Sequence, residues 1–335
     1  MIPRLAVAVL GLVAATCAAP AARSAEFYEG KTLTVIVGYA PGGGVDASAR
    51  AMTRHIGRFI PGQPHIVVQN MEGAAGLVSV NHLDRRVAPD GLTLAVPGRS
   101  WYIEGVIKRP GVSFDPVKLT YIGSPGALTS AAFVRTSTGI MNFEQLKASP
   151  RTLTFGALGA GTPTAMAPAL LASNGVPIKT VLGYVSTARV LLALEQGEVD
   201  GFFTVGNALN ARTDLAAKVI PVVQSGMTAG RAGIPLLRDV IRPSQLAVLD
   251  LIMAPDGFGV PLVGPAGMPP QATDLLRRAF VAMAADKDYQ ADALKVELPV
   301  EHPLDGATLA EMMRKLGAAT TPDVVAEFTR LSASR

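Results

Sequence analysis

The chain of 335 residues contains one cysteine, one tryptophan and four histidines, and each scarcity removes a class of chemistry. The lone Cys17 falls within "MIPRLAVAVLGLVAATCAAPAARSA", where an early arginine, an apolar run from Leu5 to Ala15 and a tail of small residues read as a secretory signal peptide over residues 1–25. Cleavage is expected between Ala21 and Glu26, which would leave a mature chain with no thiol and so no disulfide, thiolate nucleophile or thiolate metal site. No twin-arginine pair precedes the run, so export through the general secretory route is expected. The run is shorter than the roughly 20 residues a spanning helix needs, and nothing after residue 26 is long and apolar enough to cross a bilayer. The mature protein is therefore expected in the periplasm.

An excess of one charge is also missing. The chain has 30 basic and 26 acidic residues, and losing Arg4 and Arg23 with the leader leaves 28 against 26, a net +2. With charges interspersed and aromatics at only 5%, there is neither a basic stripe nor a stacking platform, and no nucleic acid partner is expected. His55, His65, His82 and His302 have no metal-ligand spacing and no paired carboxylate beside them. The stretch "PGRSW" around Ser100 lacks the second glycine of a nucleophile elbow. No catalytic residue, metal or cofactor is expected, although a triad assembled from distant residues stays open.

What the chain has in quantity is glycine, 34 residues, within a composition that is 49% hydrophobic, enough for two packed lobes. "TLTVIVG" (32–38) reads as a strand buried on both faces. Beyond the glycines, Val45, Ala49, Met52, Ile56 and Phe59 recur at spacings of four and three, one face of a helix on a sheet. Strands are predicted at 65–70 and 92–96 with a helix at 76–86 between them, which implies parallel βαβ units. A second series starts near Thr120: "LTFGALGAGTPTAMAPALLASNGV" (153–176) repeats strand, glycine turn and helix, and "VLLALEQGEVDGFFTV" (190–205) is helix, turn and strand. Residues 257–283 are predicted as strand, Pro/Gly loop and helix, with Thr273 a candidate N-cap.

Neither glycine turn supplies the lysine of a phosphate-binding loop, and Gly156, Gly159 and Gly161 reverse the dinucleotide spacing. Backbone amides at two helix N-termini, one per lobe, point instead to capture of another anion. Asp46, in the first helix's opening turn, either caps that helix or meets a ligand hydroxyl, ammonium or water.

The order "FYEGKTLTVIVGYAPGGGVDASAR", "IVVQNMEGAAG", "APDGLTLAV", then "FGALGAGT", "LEQGEVDGFF" and "GFGVPLVGPAGMPP", resembles the substrate-binding receptors of tripartite tricarboxylate transporters, the Bug-type receptors, over nearly the whole mature chain. The resemblance implies the α/β fold of a type II periplasmic binding protein, two lobes joined by two crossovers: lobe one at residues 26–124 plus 255–335, lobe two at 125–254. It implies a solute receptor, a monomer and not an enzyme, that closes on a small organic carboxylate and delivers it to membrane transporter subunits. Ligand sensing for a signalling system and, further off, a periplasmic hydrolase are the other classes. By resemblance the first turn (Tyr39, Pro41, Gly42, Gly43, Gly44, with Asp46) and the second (Gly159, Gly161, Thr162) line the ligand. Where the family has a histidine and a Lys-Gly in its second lobe, this chain has "GALGAGTPTAMAP" and "VLGYVSTAR", which leave Thr162 and Tyr184. In "PGRSWYIEG", Arg99 and Ser100 are candidate carboxylate contacts, Arg99 by a bidentate pair, and Trp101 is either a wall of the ligand site or a packed core residue. Asp200 and Thr204 are each either a polar group of the cleft or a structural residue.

Overall fold

The computed structural model describes residues 27–42, 44–209, 212–226 and 232–333, so the expected leader with Cys17, and Gly43, lie outside the described residues. β1 (Thr32–Val37) lies inside a six-stranded sheet, parallel to β2 (His65–Asn70) on one side and β3 (Thr93–Val96) on the other. Its apolar run is buried as its composition requires: Leu33, Val35, Ile36 and Val37 are all in the core. α1 (Gly44–Ile56) buries Ala49, Met52 and Ile56 against this sheet, with Val45 and Phe59 at the edge of the same core. The last of these falls in a 3-10 turn, Gly57–Phe59, where the α-helix has ended. α2 (Leu77–Arg86) precedes β3, and α3 (Trp101–Val106) follows it and leads to β4 (Thr120–Ser124).

The second sheet holds β5 (Ser130–Arg135), β6 (Leu153–Gly156), β7 (Ile178–Val181), β8 (Gly201–Val205) and β9 (Val219–Gln224) in the order β7-β6-β8-β5-β9. Between them run α4 (Phe143–Lys147), α5 (Pro163–Ser173), α6 (Thr187–Gln196) and α7 (Thr213–Ala216), and after them α8 (Leu237–Val240) and α9 (Leu246–Phe258). The chain then returns to the first sheet as β10 (Leu262–Gly264), α10 (Pro270–Ala284), α11 (Lys287–Lys295), β11 (Leu304–Asp305), α12 (Gly306–Ala319) and α13 (Pro322–Ala333). The first sheet has the order β11-β4-β10-β3-β1-β2.

Parallel βαβ units form one side of each sheet, β3-β1-β2 in the first and β7-β6-β8 in the second, but β5 and β10, which arrive from the other sheet, run the other way. β10 is antiparallel to β3 and β4, and β5 is antiparallel to β8 and β9. The reason is geometric. β4 leaves the first sheet at the carboxyl end of its parallel strands and becomes β5 after only residues 125–129, so β5 enters the second sheet beside the carboxyl ends of β6 and β8. β10 makes the reverse journey. The carboxyl ends of both sets of parallel strands therefore converge on the crossovers, the edge where open α/β sheets bind ligands.

Two sequence-based expectations fail near the return. Residues 257 and 258 are not strand but the end of α9, whose apolar run from Val248 to Phe258 continues through Pro255. Thr273 is not an N-cap: α10 starts at Pro270 behind Pro269, because proline's fixed φ and missing N–H suit a first helical position, and the Thr273 amide already donates to Pro269 O at 3.0 Å. α13, placed by sequence with the first lobe, packs on α5 and α9. Phe328 and Leu331 share one core with Leu170, Leu171 and Leu249, and Glu327 takes a hydrogen bond from Gln245 at 2.9 Å.

The two crossovers touch each other. Leu128 N donates to Asp256 O at 2.7 Å, and Val260 N to Ser124 Oγ at 3.2 Å. Gly259 lies between these contacts with φ +62°, and a Cβ there would stand 2.0 Å from the carbonyl oxygen of Gly126. Gly259→Ala is expected to cost at least about 2 kcal/mol in chemical denaturation, since the backbone conformation and the backbone contact both oppose a side chain. A variant as stable as wild type would show that the crossovers do not constrain each other.

Candidate functional site

The first glycine turn is built by its own acid. Asp46 is 3% exposed and stands in the opening turn of α1. Its Oδ2 accepts from the Gly42 amide at 2.9 Å and from Arg50 Nε at 2.9 Å, and its Oδ1 accepts from Asn70 Nδ2 at 2.8 Å. The same Asn70 nitrogen donates to Tyr39 O at 2.8 Å, and Asn70 Oδ1 accepts from Arg50 Nη2 at 3.0 Å. Asp46 thus reaches back to an amide ahead of the helix, as the acid of a capping box does, and both its oxygens serve the turn. Burial pushes its carboxyl up, but the bonds from Arg50, Gly42 and Asn70 outweigh that and hold it at about 2. Among the described residues no group accepts from the amides of Gly44 and Val45, so they remain open at the helix N-terminus.

Tyr39 is half-buried, its ring over Gly98, where φ is +101° and a Cβ would come within 2.3 Å of the ring. Burial pushes the Tyr39 hydroxyl up and the neighbouring Arg99 guanidinium holds it back, so the turn and the loop after β3 meet here. Arg99 does not stand free for a ligand as the sequence reading expects. Its Nη2 donates to Oδ1 of Asp256 at 2.8 Å. Asp256 is wholly buried near the end of α9, and its Oδ2 accepts from the Ser130 amide at 3.1 Å, with the Ser130 and Ser225 hydroxyls also bonded to it. Burial pushes the Asp256 carboxyl up against the pull of Arg99 and the two serines. Arg99 Nε and the Tyr102 hydroxyl are buried without a partner among the described residues. The fully buried Tyr102 hydroxyl lies in the field of Arg99, Asp256 and Tyr39. Ser100 sits half-buried at the N-cap position of α3 and makes no side-chain capping bond.

Trp101 is a core residue and not a wall of the cleft. It is wholly buried, with ring centroids 4.9 Å from Tyr102, 5.7 Å from Phe114 and 6.5 Å from Tyr121. The first residue of α3 points into the helix–sheet interface, where the largest apolar surface gains most.

In the second turn the Thr162 hydroxyl donates to Gly159 O at 2.7 Å and lies 2.7 Å from Thr164 Oγ1, which accepts from the Leu158 amide at 3.2 Å. Pro163 then starts α5. Among the described residues no group accepts from the amides of Ala160 and Gly161. Tyr184, past the end of β7, donates its amide to Ala157 O at 3.4 Å and lays its ring beside Gly156. Thr204, near the end of β8, is buried opposite Ala131. Asp200 is at the wrong end of the sheet for a cleft residue. It precedes β8, and its carboxylate takes both terminal nitrogens of Arg151 at 2.9 and 2.8 Å and the Thr154 amide at 2.9 Å. These bonds, Arg151's first, hold the Asp200 carboxyl at about 2.

Tyr39, Pro41, Gly42, Gly44, Arg99 and Ser100 therefore gather at the carboxyl ends of the first sheet, and Gly159, Gly161, Thr162, Tyr184 and Thr204 at those of the second. Asp46 stands behind the first group as its brace. Sequence reasoning missed Asp256, Ser130, Ser225 and Tyr102; the available signal was the second of two carboxylates in the apolar run "LAVLDLIMAPDGF", because a buried acid needs a partner.

No family model matches the chain. It is 30% identical over 162 residues to the UPF0065 protein in the gbd 5' region of Cupriavidus necator, covering 47% of each chain. It is 37% identical over 93 residues to Protein BugT of Bordetella pertussis, covering 28% of each. The chain thus spans about half or less of the length of these curated relatives. Among solved structures, MatC of Rhodopseudomonas palustris with bound malate superposes with a TM-score of 0.61 at 23% identity, over 88% of this chain and 99% of that one. A TctC solute binding protein from Polaromonas gives 0.70 at 16% identity, over 90% and 99%. A further R. palustris protein, solved with adipate, gives 0.59 at 18% identity, over 91% and 97%. One of these relatives carries the Bug name, and the solved structures share this chain's fold, two α/β sheets joined by crossovers.

Asp46 and Asp200 contribute to an acid limb of stability, together with Asp292 and Glu327, which are also held at about 2. Because Asp46 and Asp200 titrate at about 2 in the fold and ordinarily at 3.8, their contribution is complete above the ordinary value and is lost as pH falls through the folded one. Melting temperature is expected to fall between about pH 4 and pH 2. Asp46→Asn should melt lower at neutral pH and decline less steeply in acid; an acid limb unchanged from wild type would remove the brace role.

Proposed function

We propose that this chain is a periplasmic solute receptor that captures a small organic carboxylate between its lobes and delivers it to a tripartite tricarboxylate-type membrane transporter. The observation that carries this is the pair of helix N-termini, at α1 and α5, each opening on a glycine turn whose amides have no acceptor among the described residues. Each follows the carboxyl end of a parallel strand at the edge where the crossovers lie. Open amides and a helix dipole favour an anion, and the absence of a loop lysine makes a carboxylate a better fit than a polyphosphate. Malate and adipate, bound in two proteins of the same fold, are small organic carboxylates. Closure is a hinge rotation about residues 125–129 and 259–261, with the ligand stabilising the closed arrangement. The receptor performs no covalent chemistry on its ligand.

A thermal-shift screen of the mature protein against a carboxylate panel tests this. A ligand at 100 times its dissociation constant adds about 2.7 kcal/mol of stability, and mass spectrometry should recover it unchanged. Gly161→Pro removes one of the open amides and is expected to weaken binding by about tenfold, one lost charge-assisted hydrogen bond, without lowering the unliganded melting temperature. A chemically altered ligand, or full affinity in the Gly161→Pro protein, would overturn the reading.

A further inference from the structure

Arg99 is the cation beside the Tyr39 hydroxyl at the first turn, and 30% of its side chain remains exposed. The surrounding groups decide what it offers a ligand. Its Nη2 is bonded to a carboxylate that is wholly buried and fixed on its other oxygen by the Ser130 amide. The pair carries no net charge. A ligand carboxylate brought against Arg99 would also be brought against Asp256, and in a site emptied of water the repulsion from Asp256 offsets much of the attraction to Arg99. Beside the pair lie two buried polar groups without partners among the described residues, Arg99 Nε and the Tyr102 hydroxyl. Both can donate. Such groups are satisfied by a neutral acceptor oxygen, a hydroxyl or a carbonyl, at no cost in uncompensated charge.

We propose that Asp256 sets the charge selectivity of the cleft: by occupying Arg99 it tunes the receptor to a ligand with one carboxylate and a neutral oxygen at the Arg99 end, and against the dicarboxylate of the same length. The inference rests on the receptor reading and narrows its ligand class. The open amides of the glycine turns hold the single carboxylate. Arg99, part-exposed beside the buried Tyr102 hydroxyl, meets the neutral end. A site built to bond a hydroxyl there leaves a second carboxylate facing Asp256, so selectivity comes from a repulsive element as well as an attractive one.

The experiment is titration calorimetry on the mature protein with matched pairs: 4-hydroxybutyrate with succinate, 6-hydroxyhexanoate with adipate, and 4-(hydroxymethyl)benzoate with terephthalate. In whichever pair binds, the hydroxy acid should be favoured by at least about tenfold. Asp256→Asn keeps the shape and an acceptor for the Ser130 amide while freeing the Arg99 charge, so the ratio should move at least about tenfold toward the dicarboxylate. Arg99→Gln combined with Asp256→Asn, neutral at both positions, should abolish that gain, which separates charge from altered packing. Melting curves establish that each variant is folded, and if Asp256→Asn does not fold the wild-type ratio decides alone. A wild-type preference for the dicarboxylate, equal affinity within the pair that binds, or an unchanged ratio in folded Asp256→Asn overturns the inference and leaves the receptor reading standing. Binding of no acid in the panel overturns both.

Discussion

The arrangement of the molecule depends on one buried carboxylate. Asp256 has no exposure, and an ionised acid in that position is held only where every lone pair finds a donor. Its donors come from three separated segments: Arg99 from the loop after β3, Ser130 from the head of β5, and Ser225 from the tail of β9. Its own carbonyl takes the amide of Leu128 in the first crossover. Loss of one partner from a buried ion pair costs about 3–5 kcal/mol, a large share of a domain's net stability. The penalty therefore fixes where the loop of the first sheet meets the ends of two strands of the second. Gly259, three residues beyond, lets the returning chain pass close to the Gly126 carbonyl.

Charge is distributed unequally over the two ends of each sheet. At the amino end of the second sheet, Asp200 gathers Arg151 at 2.8 Å and Arg135 at 3.8 Å and ties the starts of β6 and β8 together. At the carboxyl ends the residues of the two turns are mainly glycine, serine, threonine and tyrosine, and the two ion pairs there tie Asp46 to Arg50 and Arg99 to Asp256. An anion arriving there meets amide dipoles more than free cations. Amide dipoles fixed by a braced turn need little reorganisation, because the turn is already held when the ligand is absent. The Asp46 network supplies that brace: one asparagine side chain joins the end of β2 to the Tyr39 carbonyl and to the acid of α1.

Much of this was legible from pattern. The spacing of Val45, Ala49, Met52, Ile56 and Phe59 located α1 and its buried face, and the apolar run at 32–38 located a central strand, because periodicity reports burial directly. The glycine turns were legible too, since only a backbone passage without side chains explains glycine between strand and helix. Partnership was not legible. Arg99 reads as a free cation until the fold brings residue 256 to it from a point 157 residues further along. Trp101 reads equally as wall or core, because the sequence marks it as large and apolar without saying which side of α3 faces the sheet. Asp200 was decidable in principle: it precedes "GFFTV", so it sits at the strand's amino end, away from the edge where ligands bind.

The failed boundary at residues 257 and 258 has the same origin. Apart from Asp256, a run such as "LIMAPDGFGVPLVG" has no polar side chain, so neither a period of two nor one of 3.6 stands out, and Pro255 argues against helix. The fold decides for helix because α9 packs against α3, α5, α12 and α13 and is buried on every side from Leu251 to Phe258. Asp256 is the one acid in its fully enclosed last turns, and the helix delivers it to the crossing point as a strand could not. A strand would alternate its side chains across two faces. The helix turns Asp256 toward Ser130 while Phe258, two residues on, packs 4.9 Å from Tyr102 and 6.3 Å from Tyr121. The aromatic packing locks the helix's rotation, and the rotation in turn sets the carboxylate against Arg99.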